Sequence, residues 1–374
     1  MGYVLISFLS WLILRFLVLR RLPCGRPART ILSCLFFLPI LYYAYLQASC
    51  FIVLPEPSFG TAILMGAWCG TVLIAAPPAS AGVLCLMRFG RKKPMRRVSA
   101  GACLIFSLFF SSVLVLCGLR EGLSVPSVQE VSVNLPAGCD ALDGIRMAVI
   151  SDLHLGCATP PGWLEETLRR IKEARADIIL LDGDLSDGRP EDRRSDLARL
   201  GTLEAPLGVW AVPGNHEYYV DYAGIMAALP DSVHVLANSH AKLRTSRGTF
   251  VLAGVTDRKA RARGLPGPDI EKALSGLSGD GAIGPVLLMS HRPAGWSRNA
   301  ARGVVLQICG HTHGGQFIWN RLFLRLIGRR YLHGLFERNS SLLWVGSGAS
   351  QWFGFPLRVG VPPEIAVLNL HAGS

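Results

Sequence analysis

Five short apolar runs in the second half of the chain each break off at a cluster of residues able to bind metal, and few folds can accommodate that pattern. Met147–Ser151 leads into Asp152-Leu153-His154, and Ile178–Leu181 into Asp182-Gly183-Asp184 with Asp187 just beyond. Gly208–Val212 leads into Gly214-Asn215-His216-Glu217, Val286–Met289 into Ser290-His291, and Val304–Ile308 into Gly310-His311-Thr312-His313-Gly314-Gly315-Gln316. A helix cannot deliver ligands from five distant segments to one point. Strands lying side by side can, because neighbours are about 4.8 Å apart, and α/β folds place their chemistry in the loops at strand ends. Trp163–Ala174 has helical apolar spacing between the first two runs. From Ile145 onward the texture is therefore that of an α/β domain.

The clusters combine carboxylates, imidazoles and one carboxamide. Such a mixed oxygen and nitrogen set suits Mn, Fe, Zn or Co, not calcium alone. In extended backbone, residues i and i+2 point to the same side, so Asp152 with His154, and His311 with His313, are each expected to face one cavity. Glycines beside every cluster let the backbone turn sharply and approach closely.

The first half reads differently. Apolar stretches cover residues 3–19, 31–54, 59–87 and 98–119, about four helices forming a transmembrane region over 1–119. Crossing about 30 Å of hydrocarbon takes roughly 20 apolar residues. The second and fourth stretches fit directly. The third contains Pro77-Pro78, which implies a kink or a re-entrant end, and the first is short and carries Arg15. It lacks a basic leader and a small-x-small site before Arg20-Arg21, so it reads as an uncleaved anchor.

The formal charge of +12 belongs almost wholly to this half: residues 1–118 hold eleven Lys or Arg and one acidic residue, Glu56, and the remainder holds 27 basic and 25 acidic residues. A near-neutral second half argues against a nucleic-acid partner. Four arginines lie between the first two stretches and six basic residues between the last two, against none around Glu56. The positive-inside rule puts both basic loops in the cytoplasm. The expectation is a multi-pass protein of the inner cell membrane with its catalytic domain on the extracytoplasmic face. Seven of ten cysteines fall singly in the apolar half and no CxxC occurs, so neither a zinc ribbon nor a disulfide framework is expected.

Residues 120–144 read as a linker, with Val125–Leu135 alternating like a strand outside the core or at its edge, and 145–370 as the catalytic domain. The order D-x-H, G-D-x-x-D, G-N-H-E, H, G-H-T-H across that domain resembles the calcineurin-like metallophosphoesterases. The pieces Gly310–Gln316, Trp344–Gly348, Pro356-Leu357-Arg358 and Pro362-Pro363-Glu364-Ile365 resemble their bacterial membrane-associated or exported phosphodiesterases. The resemblance implies a β-sandwich of two mixed sheets flanked by helices and a phosphoester substrate. It also implies two divalent metal ions, one held by Asp152, His154 and His313 and one by Asn215, His291 and His311, with Asp184 shared. His216 would be the catalytic group and, with Asn215, would touch the phosphate.

Asp182, Asp187 and Glu217 stay outside that ligand set: Asp182 as a strand-end cap, Asp187 as a carboxylate orienting the Asp184 loop, Glu217 either bonded to a ligand or facing solvent. His234, His240 and His333 have no motif context and read as structural. Phe317–Tyr331 interleaves apolar residues with Arg321, Arg325, Arg329 and Arg330. It suits an acyl-phosphate substrate or a membrane surface, or a flap packing its apolar side on the domain. Residues 221–280 carry no readable signal. The candidate functions are hydrolysis of a phosphomonoester or diester, lipid-linked phosphates included; a UDP-diacylglucosamine-type pyrophosphatase, which needs a cytoplasmic domain; or a non-catalytic metal-binding membrane scaffold.

Overall fold

A computed structural model describes residues 2–49, 56–89, 93–277 and 284–373. The chain divides into two compact units, residues 1–121 with 354–357, and residues 122–353 with 358–374.

The first unit is helical: α1 (Gly2–Ile13), α2 (Arg26–Ala48), α3 (Phe59–Phe89) and α4 (Lys93–Gly122). Three of its segments are long and apolar enough to cross a membrane, Arg26–Ala48, Phe59–Arg88 and Ser99–Gly122. The first apolar stretch is not among them. α1 has 12 residues and passes into a five-residue π-helical turn, Leu14–Val18. Leu14, Val18 and Leu19 are buried in a cluster with Phe36, Ile40, Val72 and Ala76, and Trp11 donates its indole N–H to the Ser33 carbonyl at 2.8 Å. α3 continues as one helix through Pro77 and Pro78, so the re-entrant end is not formed. Residues 50–54 of the second stretch, together with Pro55, Arg91 and Lys92 of the loops used for the topology argument, lie outside the described residues.

The second unit has two six-stranded sheets. Its elements, in chain order, are β1 (Ser127–Ala137), β2 (Arg146–Ile150), α5 (Trp163–Glu173), β3 (Ile178–Asp182), α6 (Pro190–Ala198), β4 (Val209–Val212), α7 (Tyr222–Ala228) and β5 (Val233–Val235). They continue with β6 (Ser239–Thr245), β7 (Gly248–Gly254), α8 (Ile270–Ala273), β8 (Val286–Met289), α9 (Trp296–Ala300) and β9 (Val304–Cys309). The last are α10 (Ile318–Leu326), β10 (Gly334–Arg338), β11 (Ser341–Val345) and β12 (Glu364–Gly373). One sheet runs β1-β12-β2-β3-β4-β5 and the other β10-β11-β9-β8-β7-β6.

Alternate residues of the two sheets meet in a shared core, Met147, Val149, Ile178 and Leu180 from one with Phe250, Leu252, Leu287 and Ile308 from the other. The opposite face of the first sheet, Ala148, Ile150, Ile179 and Leu181, packs on Trp163, Leu164, Leu168 and Ile171 of α5. The outer face of the second, Val251, Ala253 and Leu288, packs on Ala273 and Leu277. Strands covered on both faces read as unbroken apolar runs, which is why β2, β3, β4, β8 and β9 stand out in the sequence. These five belong to the parallel parts of the sheets, β2-β3-β4 in one and β8-β9 in the other. Their C-terminal ends therefore open on one side of the sandwich.

The second compact unit begins at Gly122, ahead of the expected start at 145. β1 falls in the segment read as a linker and pairs along its length with β12, from Ser127 opposite Glu364 to Asn134 opposite His371. Trp163 donates its indole N–H to the Ser124 carbonyl at 3.0 Å, and Arg170 bonds the carbonyls of Val125 and Pro126. A soluble fragment starting at Gly122 is expected to fold. One starting at Ile145 leaves β12 as a bare edge and is expected to aggregate or to lose cooperative unfolding, read by size-exclusion chromatography and thermal melts.

Candidate metal centre

Asp152 follows β2, Asp184 follows β3, Asn215 and His216 follow β4, His291 follows β8, and His311 and His313 follow β9. The loops do not continue the strands. Asp152, His154, Asp184, His311 and His313 all have positive φ, between 43° and 67°. The side chains reach the cavity through left-handed turns, not through the alternation of extended backbone expected for Asp152-x-His154 and His311-x-His313. A strand must reverse within one or two residues to aim its last side chains across its own end. Gly183 permits a close approach of two loops: at φ 78° a Cβ there would lie 2.6 Å from the Gly214 amide nitrogen.

Each central carboxylate divides its oxygens between backbone and cavity. Asp184 Oδ1 accepts from the His216 amide at 2.8 Å, and Asp152 Oδ2 from the His311 amide at 3.0 Å. The other oxygens face imidazoles. Asp184 Oδ2 lies 3.1 Å from His291 Nε2, 3.8 Å from His154 Nε2 and 3.9 Å from His216 Nε2. Asp152 Oδ1 lies 3.2 Å from His313 Nε2 and 3.8 Å from His154 Nε2, and the two imidazole nitrogens are 3.3 Å apart.

Three sets of donor atoms lie within 4.8 Å of one another: Asp152, His154 and His313; His154, Asp184 and His216; Asp184, His291 and His311. Bonds of about 2.1 Å to a transition metal put neighbouring ligand atoms about 3.0–3.4 Å apart in octahedral or tetrahedral geometry. The shortest separations here fall in that range. Asp152 Oδ1 and His291 Nε2 are buried, and the atoms nearest them are other donors of the cluster, His313 Nε2 and Asp184 Oδ2, as expected of atoms aimed at an ion. The donor set fits a divalent transition metal. Asp184 is common to two of the sets, and His216 joins one of them although the sequence pattern kept it outside the ligand shell.

Neighbouring groups fix these side chains. Asp187 Oδ1 lies 2.5 Å from His216 Nδ1 and 3.2 Å from His154 Nδ1, so it orients two imidazoles as well as the loop. His291 Nδ1 donates to the Asp182 carbonyl at 2.7 Å. Glu217 is fully buried, which excludes the solvent-facing reading, and accepts from the amides of Asp184, Leu185 and Gly214. Asp182 is equally buried. Burial, with the charges of Asp152 and Asp184, pushes its carboxyl well above the ordinary range. His240 bonds the Ala273 carbonyl, His333 pairs with Glu364, and the His234 ring packs on Trp210, all consistent with structural roles.

Three further residues had no signal that sequence reasoning used. Arg292 donates to Asn215 Oδ1 and to Asp257 Oδ2, each at 2.5 Å, and its guanidinium also contacts the His311 ring. Asp257 lies in the unreadable interval. Arg358 is fully buried, 3.3 Å from His313 Nδ1 and bonded to the carbonyls of Ser347 and Val361. It sits in the Pro-Leu-Arg piece that had served only as a resemblance.

Burial opposes charge throughout, and opposite charges outweigh it at some groups and not at others. Burial alone would raise Asp152 and Asp184, but the surrounding imidazoles hold both well below the ordinary carboxylate range. Burial would lower His291, but Asp184 and Asp152 raise it to about 10. His154 is raised in the same way against its burial by Asp187, Asp152 and Asp184. At His313 burial prevails and the pKa falls to about 4. At His311 burial and the Arg292 charge act together to lower it.

Residues 145–315 match the calcineurin-like phosphoesterase family. A Helicobacter pylori protein described as an uncharacterized metallophosphoesterase is 34% identical over 68% of this chain and 66% of its own length. A zebrafish (Danio rerio) transmembrane protein with a metallophosphoesterase domain is 29% identical over 76% of this chain and 68% of its own. A Bos taurus protein of the same description is 29% identical over 71% and 62%. The chain thus spans about two thirds of the length of these relatives. It belongs to the calcineurin-like metallophosphoesterases; among the described residues, three of its helices are long and apolar enough to cross a membrane, and the zebrafish and bovine relatives are described as transmembrane proteins.

Two outcomes follow. Glu217→Ala strips three buried amides of their acceptor, at about 1–3 kcal/mol each, and is expected to lower the denaturant midpoint far more than Glu217→Gln. An ion binds neutral imidazole, whereas the facing carboxylates raise His154 and raise His291 to about 10 in the metal-free centre. Ion uptake should therefore release protons, and affinity should climb as pH rises towards about 10, the raised value of His291, read by calorimetry in buffers of different ionisation enthalpy.

Proposed function

We propose that this chain is a membrane-anchored phosphoesterase that uses two divalent ions to hydrolyse a phosphomonoester or phosphodiester. The carrying observation is the adjacency of the donor sets Asp152-His154-His313 and Asp184-His291-His311, with Asp184 Oδ2 3.8 Å from His154 Nε2 of the first set. Asp152, His154 and His313 would hold one ion, Asn215, His291 and His311 the other, and Asp184 both. Such ions lower the pKa of bound water and polarise the phosphoryl oxygens.

The chain's own residues do the rest. Asp187, on His216 Nδ1, fixes that ring so that Nε2 is presented to the cavity. From there His216 can bind a phosphoryl oxygen and hold the proton that the leaving oxygen takes up. Asn215, beside it after β4, would share the phosphate contact. The Arg292 guanidinium lies against Asn215 and His311, the donors assigned to the second ion. It would have to shift as that ion binds, which leaves a cation at the mouth of the site facing the substrate's negative charge.

Chelation is expected to abolish hydrolysis of a generic aryl phosphodiester, and manganese or a similar metal to restore it. Asp184→Asn should be among the most damaging single changes. His216→Ala should keep metal content near that of the wild type while turnover falls roughly 10²–10⁴-fold, the scale of a positioned acid–base group. Loss of metal alongside activity would make His216 a ligand. A chain that binds metal but never turns over would favour the scaffold reading.

The active site is proposed to face away from the cytoplasm, on the asymmetry of basic loop residues. If the first stretch does not cross, three crossings still leave the domain outside, because α4 carries the chain out from the last basic loop. Protease added to intact spheroplasts should digest the domain. Protection until lysis would place it in the cytoplasm and favour a nucleotide-sugar lipid substrate.

A further inference from the structure

Eight large hydrophobic side chains are exposed among the described residues of the second unit, and six of them are Ile318, Trp319, Leu322, Phe323, Leu326 and Ile327. Leu326 is 86% exposed. On α10 the positions 318, 319, 322, 323 and 326 share one face at 3.6 residues per turn. A helix on the surface of a globular domain normally turns its apolar face inward. α10 is reversed. The face towards the domain carries Asn320, Arg321 and Leu324, all only partly exposed, and the apolar face is uncovered.

The reversal is built in by polar bonds. Arg321 Nε donates to the Gly314 carbonyl and Asn320 Nδ2 to the Gly315 carbonyl, both at 2.8 Å. The Ile318 amide bonds the Val359 carbonyl at 3.0 Å. These bonds fix the helix to the loop that carries His311 and His313. The alternative in which the segment packs its apolar side on the domain is not what the structure forms.

We propose that α10 is an interfacial helix that lies in the surface of an anionic bilayer, with its apolar residues among the acyl chains and Arg325, Arg329 and Arg330 at the phosphate headgroups. Residues 317–331 contain four arginines and no acidic residue. That charge complements anionic lipid and opposes docking of a second copy, whose matching face would be equally basic. A short amphipathic helix with bulky apolar residues and flanking arginines has the composition of an interfacial segment. The bilayer is also the one extended apolar phase to which helices such as α2, α3 and α4 commit the chain. Resting on the phosphoesterase reading, the consequence is that the His311–His313 loop is held at headgroup level, where it would meet phosphoesters of membrane amphiphiles.

The test uses the full chain in vesicles of phosphatidylcholine, with and without phosphatidylglycerol. Benzoylphenylalanine in place of Leu326 should photocrosslink to lipid, more with phosphatidylglycerol present, whereas the same group in place of Lys172 on α5 should not. Adducts at Leu326 to a second copy or to another protein, or equal labelling at both positions, would overturn the proposal. The double change Leu322→Glu with Phe323→Glu should raise KM for a vesicle-borne phosphoester about tenfold or more and leave kcat on a soluble aryl phosphodiester unchanged. An unchanged KM would overturn the assignment. Absence of turnover by the wild type on both substrates, with the Leu326 lipid adduct still formed, would reject the hydrolase reading and leave the helix assignment standing.

Discussion

The buried carboxylate of Asp184 sets the terms for everything around it. It stands at the end of a parallel strand inside a sandwich whose faces are all covered, where an unpaired negative charge would be expelled or protonated. Its Oδ1 takes the His216 amide and its Oδ2 faces His154, His216 and His291. Asp152 repeats the construction with the His311 amide and with His313 and His154. The contrast is Asp182, equally buried but flanked by these two carboxylates, whose carboxyl is pushed well above the ordinary range. Three aspartates within one stretch of cavity wall are thus shifted in opposite directions because of what each one faces. The left-handed turns follow from the same demand, since only a chain that reverses at once can put two ligands of one loop into a cavity across its own strand end.

Much of this was legible because the layers make it so. β2, β3, β4, β8 and β9 are covered on both faces, and an apolar run followed by a cluster of ligand types is the sequence image of a buried parallel strand ending at a site. Strands at the margins leave no such image. β6 alternates between partly and fully exposed residues, β10 has no buried residue, and both lie at sheet edges. β1 was seen as an alternating strand but assigned outside the domain. Its partner β12 lies more than 200 residues further along, and no local pattern records a pairing at that distance. The first apolar stretch was likewise visible as apolar. That its helix changes from α to π geometry after Ile13 was not.

Within the site, residue types proved easier to read than the groups that hold them. Glycine and histidine clusters announce themselves. Glu217, Arg292, Asp257 and Arg358 do not, because a buried acceptor for three amides and a guanidinium between two loops are defined by tertiary neighbours. These residues nonetheless balance the centre. Asp257 holds Arg292 against Asn215 and His311, and Arg358 stands against His313. His311 and His313 are the two imidazoles whose pKa falls, each with burial first and a nearby guanidinium adding to it. His154 and His291 face carboxylates instead and rise. The cavity therefore holds two neutral imidazoles already suited to a metal and two that must first give up a proton.

α10 shows where periodicity stops being informative. The spacing of Ile318, Trp319, Leu322, Phe323 and Leu326 defines an apolar stripe whichever way the helix is turned, so the sequence is equally consistent with a flap packed on the domain and with a surface facing lipid. The choice is made by the side-chain bonds of Arg321 and Asn320, which require the opposite face to point inward, while the Ile318 amide ties the start of the helix to Val359. Rotating the stripe onto the domain would break the first two and leave the Gly314 and Gly315 carbonyls without those donors, directly beside His313. The orientation of the helix and the shape of the metal-binding loop are thus one structural fact, and the uncovered stripe is its consequence.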